Sequence, residues 1–136
     1  MNLNPGAREL ITFFNLNQIK TALVSGGINY FAEKVKNKLG IDTFKANEVE
    51  IIDESITGNA LGKVVDGKAK ASYIEELSEL YDLNPDQVIA IGDGANDLEM
   101  MKVSGLSVAY KGKPILRKNC DIQINHSGLD SLIDFF

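Results

Sequence analysis

Apolar residues along this chain alternate between a spacing of three to four and short unbroken runs, with glycine or proline at most changes of rhythm. That alternation predicts helices and buried strands in turn. Asn4-Pro5 reads as a helix start, and Leu10, Ile11, Phe13 and Phe14 supply the face of a helix over 7–16. Ile19 to Val24 is a buried strand, ended by Ser25-Gly26-Gly27. Tyr30, Phe31, Val35 and Leu39 then recur at helical spacing up to Gly40, with the two aromatics expected in the core.

Between 43 and 65 the rhythm turns β-like, Val49 to Ile52 and Ile56 to Leu61, which predicts a small hairpin excursion around 48–62, closed by Gly67. Ile74, Leu77, Leu80 and Tyr81 mark one face of a helix over 69–81. A turn at Asn84-Pro85-Asp86 leads into a second buried strand, Gln87 to Ile91. Leu98, Met101 and Val103 give a helix, 106–109 a strand, 114–118 a short helix, 122–124 a strand and 129–136 a closing helix. The predicted class is therefore α/β, a Rossmann-like parallel sheet with helices on both faces.

Composition changes this picture little. A chain of 136 residues with 44% hydrophobic and 24% charged residues fits one soluble globular domain, 1–136. No apolar run reaches the roughly 18 residues that span a bilayer, and the start lacks a signal-peptide pattern, so a cytoplasmic protein with no membrane partner is expected. Net charge is −5, which disfavours nucleic acid as a partner. The lysines at 34, 36 and 38 and at 111, 113 and 118 read as solvated faces. A single cysteine, Cys120, cannot form an intrachain disulfide. His126, the only histidine, sits in a polar turn and reads as a surface side chain; Met100 and Met101 read as packing residues.

In a parallel sheet ligands bind beyond the carboxyl ends of the strands, and two of those ends carry glycine with polar residues. Ser25 and the N–H groups of Gly26 and Gly27 suit phosphate oxygens. Lys70, just inside a helix start, offers a compact positive charge to the same anion. In Ile91-Gly92-Asp93-Gly94-Ala95-Asn96-Asp97, Asp93 offers hard oxygens suited to Mg²⁺, and Asn96 can donate to a bound oxyanion. Asp97 can either orient Lys70 or stand behind the metal. Taken singly each has a plainer reading: a turn, a helix cap, a solvated lysine. Their occurrence together and in order favours a site.

The series Leu23-Val24-Ser25-Gly26-Gly27, Ala69-Lys70 and Ile91 to Asp97 resembles motifs II, III and IV of the haloacid dehalogenase superfamily, most closely its phosphoserine phosphatase branch. Asn4-Pro5-Gly6-Ala7, Tyr30-Phe31-Ala32, Ala46-Asn47-Glu48, Ala109 and Lys113-Pro114-Ile115-Leu116 also look like that branch. The resemblance implies Mg²⁺-dependent hydrolysis of a small phosphomonoester, phosphoserine in serine biosynthesis, through a phosphoaspartate. Carried over by position, it implies that Ser25, Gly26 and Gly27 hold the phosphate, Lys70 stabilises the phosphoaspartate and Asp93 binds Mg²⁺. Asn96 then contacts the substrate, and Asp97 supports Lys70 and the metal water.

The family's first motif, Asp-x-Asp on a central strand, is not found; no Asp precedes Asp42. The sheet is expected to lack that strand between those ending at Val24 and Ile91, and the nucleophile with it. The chain alone is then expected to be inactive. It is read as the C-terminal part of such an enzyme, or as a non-catalytic phosphate- and Mg²⁺-binding remnant or subunit completed by a homodimer partner or a complementing N-terminal chain. A response-regulator receiver is a weaker reading, because its early aspartate is also lacking.

Overall fold

In a computed structural model the structure describes residues 3–62 and 64–136. In chain order the elements are α1 (Ala7–Leu16), β1 (Ala22–Ile28), α2 (Asn29–Leu39), β2 (Thr43–Ile52), β3 (Ser55–Leu61), α3 (Gly67–Leu80), β4 (Ile89–Gly92), α4 (Leu98–Lys102), β5 (Leu106–Tyr110), α5 (Pro114–Arg117) and β6 (Ile122–Ile124). Short 3-10 turns occupy Pro85–Gln87, Ala95–Asp97 and Leu129–Phe135. The α/β class and the order of elements agree with the sequence pattern. The residues divide into two compact units, Arg8–Val65 and Met1–Ala7 with Asp66–Phe136.

In the Arg8–Val65 unit, α1 buries Leu10 and Phe14, one turn apart on a single face. β1 and β2 pair in parallel from Ala22↔Thr43, and β3 returns antiparallel along β2. Asp42 clasps the start of this pair: its carboxylate accepts from the Thr21 N–H at 2.8 Å and from the Thr21 hydroxyl at 3.2 Å. The expected hairpin is present, but β2 begins earlier, at Thr43, because its first residues ladder onto β1. α2 packs on β1 and β2 and ends at Gly40, whose N–H bonds the Lys36 carbonyl at 2.9 Å.

Two expectations fail in this unit. Ser25-Gly26-Gly27 does not terminate β1; pairing lapses after Val24↔Lys45 and resumes at Ile28↔Asn47, so the glycines form a bulge inside the strand. Tyr30 and Phe31 are 43% and 51% exposed, and the buried residue of this helix is Ala32. Helical spacing marks a stripe without ensuring that anything covers its first turn. The two rings meet edge to face at 5.4 Å, and Lys34 Nζ lies 4.3 Å from the centre of Tyr30.

In the other unit β4, β5 and β6 form a parallel sheet in that order. β5 is central, which is why Val108 and Ala109 are fully buried. Ala109 lies in a core with Ala90, Met100, Met101 and Leu116, against which Ile74, Leu98 and the half-buried Cys120 pack. The packing role expected of both methionines holds, and His126 is exposed as expected. The clasp recurs: Asp121 accepts from the Ser107 N–H at 2.9 Å and from its hydroxyl at 3.1 Å, joining the starts of β5 and β6. Leu80, expected on the core face of α3, is 71% exposed at the helix end. Residues 129–135 wind as a 3-10 helix, with only Leu132 buried.

Among the described residues β1 pairs only with β2 in its sheet, and β4 only with β5 in the other. These are the two strands between which the family resemblance places the strand not found in the sequence.

Candidate active site

The acidic loop after β4 is built around one buried carboxylate. Asp97 is 5% exposed and Lys70 likewise, and Lys70 Nζ stands 2.8 Å from Asp97 Oδ1. The other oxygen, Oδ2, accepts the backbone N–H of Asp93 at 3.1 Å and of Gly94 at 3.3 Å. Each oxygen thus has a donor, the condition under which a buried ion pair is tolerated. Burial follows from two glycines. A Cβ on Gly92 would sit 2.4 Å from Asp97 Oδ2, so only glycine lets the strand end pass the carboxylate. A Cβ on Gly67 would come within 3.2 Å of the Asn96 carbonyl, so its absence admits the start of α3.

Lys70 is carried into place by the helix start. Asp66 caps α3, its side chain accepting from the Ala69 N–H at 2.9 Å, and the Lys70 N–H makes the first helical bond to the Asp66 carbonyl at 3.0 Å. The reading of a lone helix-start lysine as a solvated side chain fails here, because Asp97 recruits it. Of the two roles open to Asp97 in the sequence, the contact to Lys70 is realised.

Asp93 is exposed, and its carboxylate makes no hydrogen bond or ion pair among the described residues. Its backbone is held at both ends, N–H to Asp97 and carbonyl to the Lys113 N–H at 3.0 Å. Asp93, Gly94, Lys111, Gly112 and Lys113 line an open depression. A carboxylate on a held strand-end backbone, with its oxygens free among the described residues, fits Mg²⁺, which takes one or two protein carboxylates and otherwise keeps waters. Among the described residues no group of three acidic, histidine or cysteine side chains forms a metal cluster, so this chain offers Mg²⁺ part of a ligand set. Asn96 is exposed one residue before Asp97.

Ser25, Gly26 and Gly27 belong to the Arg8–Val65 unit, whereas Lys70, Asp93, Asn96 and Asp97 belong to the other. The Ser25 hydroxyl accepts the Gly27 N–H at 3.0 Å, which orients it and leaves its own proton for another acceptor. The sequence pattern did not single out Asp66, and it assigned Lys111 and Lys113 to a solvated face without their place on the rim beside Asp93. Asp66-Gly67 before a helix is a capping signal that marks the first. Nothing in the spacing marks the second, which depends on a backbone bond to Asp93.

The model of the haloacid dehalogenase-like hydrolases matches residues 2–102 of this chain. The chain belongs to that family. A phosphoserine phosphatase of Idiomarina loihiensis is 40% identical over 93% of the chain. The unliganded crystal structure of a probable phosphoserine phosphatase from Vibrio cholerae superposes with a TM-score of 0.94 at 35% identity, covering 98% of the chain. The structure of a phospho-aspartyl intermediate analogue of phosphoserine phosphatase gives 0.91 at 34% identity, covering 99% of the chain. This chain spans 57% of the Idiomarina protein, 41% of the Vibrio chain and 65% of the analogue. Among the described residues no helix is long and apolar enough to cross a membrane.

Proposed function

We propose that this chain is the core part, a single 1–136 domain, of a Mg²⁺-dependent phosphomonoester hydrolase of phosphoserine phosphatase type. The observation that carries this reading is the buried Lys70–Asp97 pair beside Asp93, whose backbone is held and whose carboxylate has no partner among the described residues, in a haloacid dehalogenase-like chain. Ser25 and the Gly26 N–H hold phosphoryl oxygens, while the Gly27 N–H, expected from the sequence to join them, is spent on Ser25 Oγ and orients it; Lys70 offsets phosphoryl charge, and Asn96 orients the substrate. Asp97 holds Lys70 in direction and reach. Asp93 is the residue that holds Mg²⁺, which when bound supplies Lewis-acid stabilisation of phosphoryl charge. Phosphoserine is the proposed substrate, in keeping with the names of the relatives, and a cytoplasmic setting in serine biosynthesis follows from that assignment.

The groups named so far stabilise charge; none attacks phosphorus. With no Asp before Asp42, the carboxylate needed for a covalent route has to come from another segment, and the chain alone is expected to be inactive. That same feature favours a second reading, a non-catalytic phosphate- and Mg²⁺-binding remnant, or a subunit completed by a partner copy or chain. Phosphoserine turnover with Mg²⁺, measured with and without the N-terminal segment of a relative that carries Asp-x-Asp, separates them. Turnover is expected only with the segment. Turnover by the chain alone contradicts the inactive state, and none in either case favours the remnant.

A further inference from the structure

β1 carries its bulge where a phosphate grip is proposed, and a bulge releases backbone groups from the ladder. Four residue steps from Val24 to Ile28 are matched by two from Lys45 to Asn47, so Ser25, Gly26 and Gly27 have no register partners on β2. One side chain takes up the slack. Asn47, half-buried on β2, donates from Nδ2 to the Gly26 carbonyl at 2.7 Å, while its Oδ1 accepts the N–H of Val65. The orientation of the amide is settled by these partners, since a carbonyl only accepts and an N–H only donates. Val65 is buried, at 4% exposure, and is the last residue of this unit before the chain passes to Asp66 and the helix of Lys70.

We infer that Asn47 is a positioning residue, whose amide holds the Ser25-Gly26-Gly27 bulge in its anion-accepting shape and anchors Val65 at the entry to α3. The inference rests on the phosphate reading of that bulge. No other side chain of this size serves both ends. Aspartate offers only acceptors and turns an oxygen against the Gly26 carbonyl; leucine offers neither group. With the Gly26 carbonyl on Asn47 Nδ2 and the Gly27 N–H on Ser25 Oγ, both polar groups of the Gly26–Gly27 peptide are held.

The test is amide hydrogen exchange by NMR on the full chain, with Asn47→Asp and Asn47→Ala variants. Asn47→Asp is expected to speed exchange of the Gly27 N–H at least tenfold while Val65 stays protected; Asn47→Ala is expected to speed both. Gly27 exchange within twofold of the parent in both variants overturns the role. Should either variant fail to fold, the parent decides: one Asn47 Nδ2 proton is expected to exchange slowly, and exchange of both at the solvent rate overturns it. Titration with inorganic phosphate then distinguishes the two layers. The parent is expected to shift its Gly26 and Gly27 signals, with affinity reduced at least fivefold in Asn47→Asp. A parent that does not respond overturns the phosphate reading and this role with it, whereas equal affinity in parent and Asn47→Asp overturns the role of Asn47 alone.

Discussion

Lys70 and Asp97 decide how the acidic loop behaves, because neither charge has water to fall back on. Both side chains are 7% exposed, so removing one leaves the other desolvated and alone. Asp97→Ala is therefore expected to cost about 3–5 kcal/mol, read from urea unfolding, whereas the double change Lys70→Met with Asp97→Leu is expected to recover most of that loss. Equal losses in single and double variants would show that Asp97 acts mainly through the Asp93 and Gly94 N–H groups. Asp93 presents the opposite case: its carboxylate has no partner among the described residues, so Asp93→Asn is expected to leave stability within about 0.5 kcal/mol. Mg²⁺ affinity, measured by calorimetry, should fall at least tenfold. Unchanged affinity would reduce the loop to a turn.

At the scale of elements, pattern reading succeeded where local chemistry is self-sufficient. β6 falls on 122–124 as expected, and α1 on 7–16, because the alternation Ile122-Gln123-Ile124 and a single amphipathic stripe need no distant partner to be read. It went wrong where a neighbour decides. β1 runs on through Ser25-Gly26-Gly27 because Ile28 finds Asn47, and Lys70 is buried because Asp97 reaches it. Neither fact is local. The chemistry of the site was legible as residue types in order, since glycine, lysine and aspartate stand at strand and helix ends; the donors on Asp97 Oδ2 were not, being backbone groups. The hairpin turn shows the same limit. Asp53 and Glu54 join β2 to β3 with φ of 50° and 65°, a conformation suited to Asn-Gly. Glu54→Gly is expected to stabilise the chain by about 0.5–1 kcal/mol, seen as a higher urea midpoint at unchanged slope. A lower midpoint would mean that Glu54 makes compensating contacts.

For the whole molecule the deciding feature is that, among the described residues, β1 and β4 each pair on one side only within their sheets. Each is an edge strand, and an open edge with half-buried residues such as Leu23, Val24, Ile89 and Ile91 is a template for a further strand. The curated relatives carry chain beyond the matched part, since the match takes in 57% of the Idiomarina protein. An N-terminal segment of such a relative, added as a separate polypeptide, should therefore bind the folded chain and not the unfolded one. Mass action then sets the size of the effect: about 2.7 kcal/mol of added stability at a segment concentration 100 times its Kd, with Tm rising continuously as more is added. Light scattering gives the complementary readout. Self-association through open edges should be present without the segment and diminish with it. A Tm independent of segment concentration, together with a monomer throughout, would mean that these edges are closed by the chain itself and that no completing strand is required.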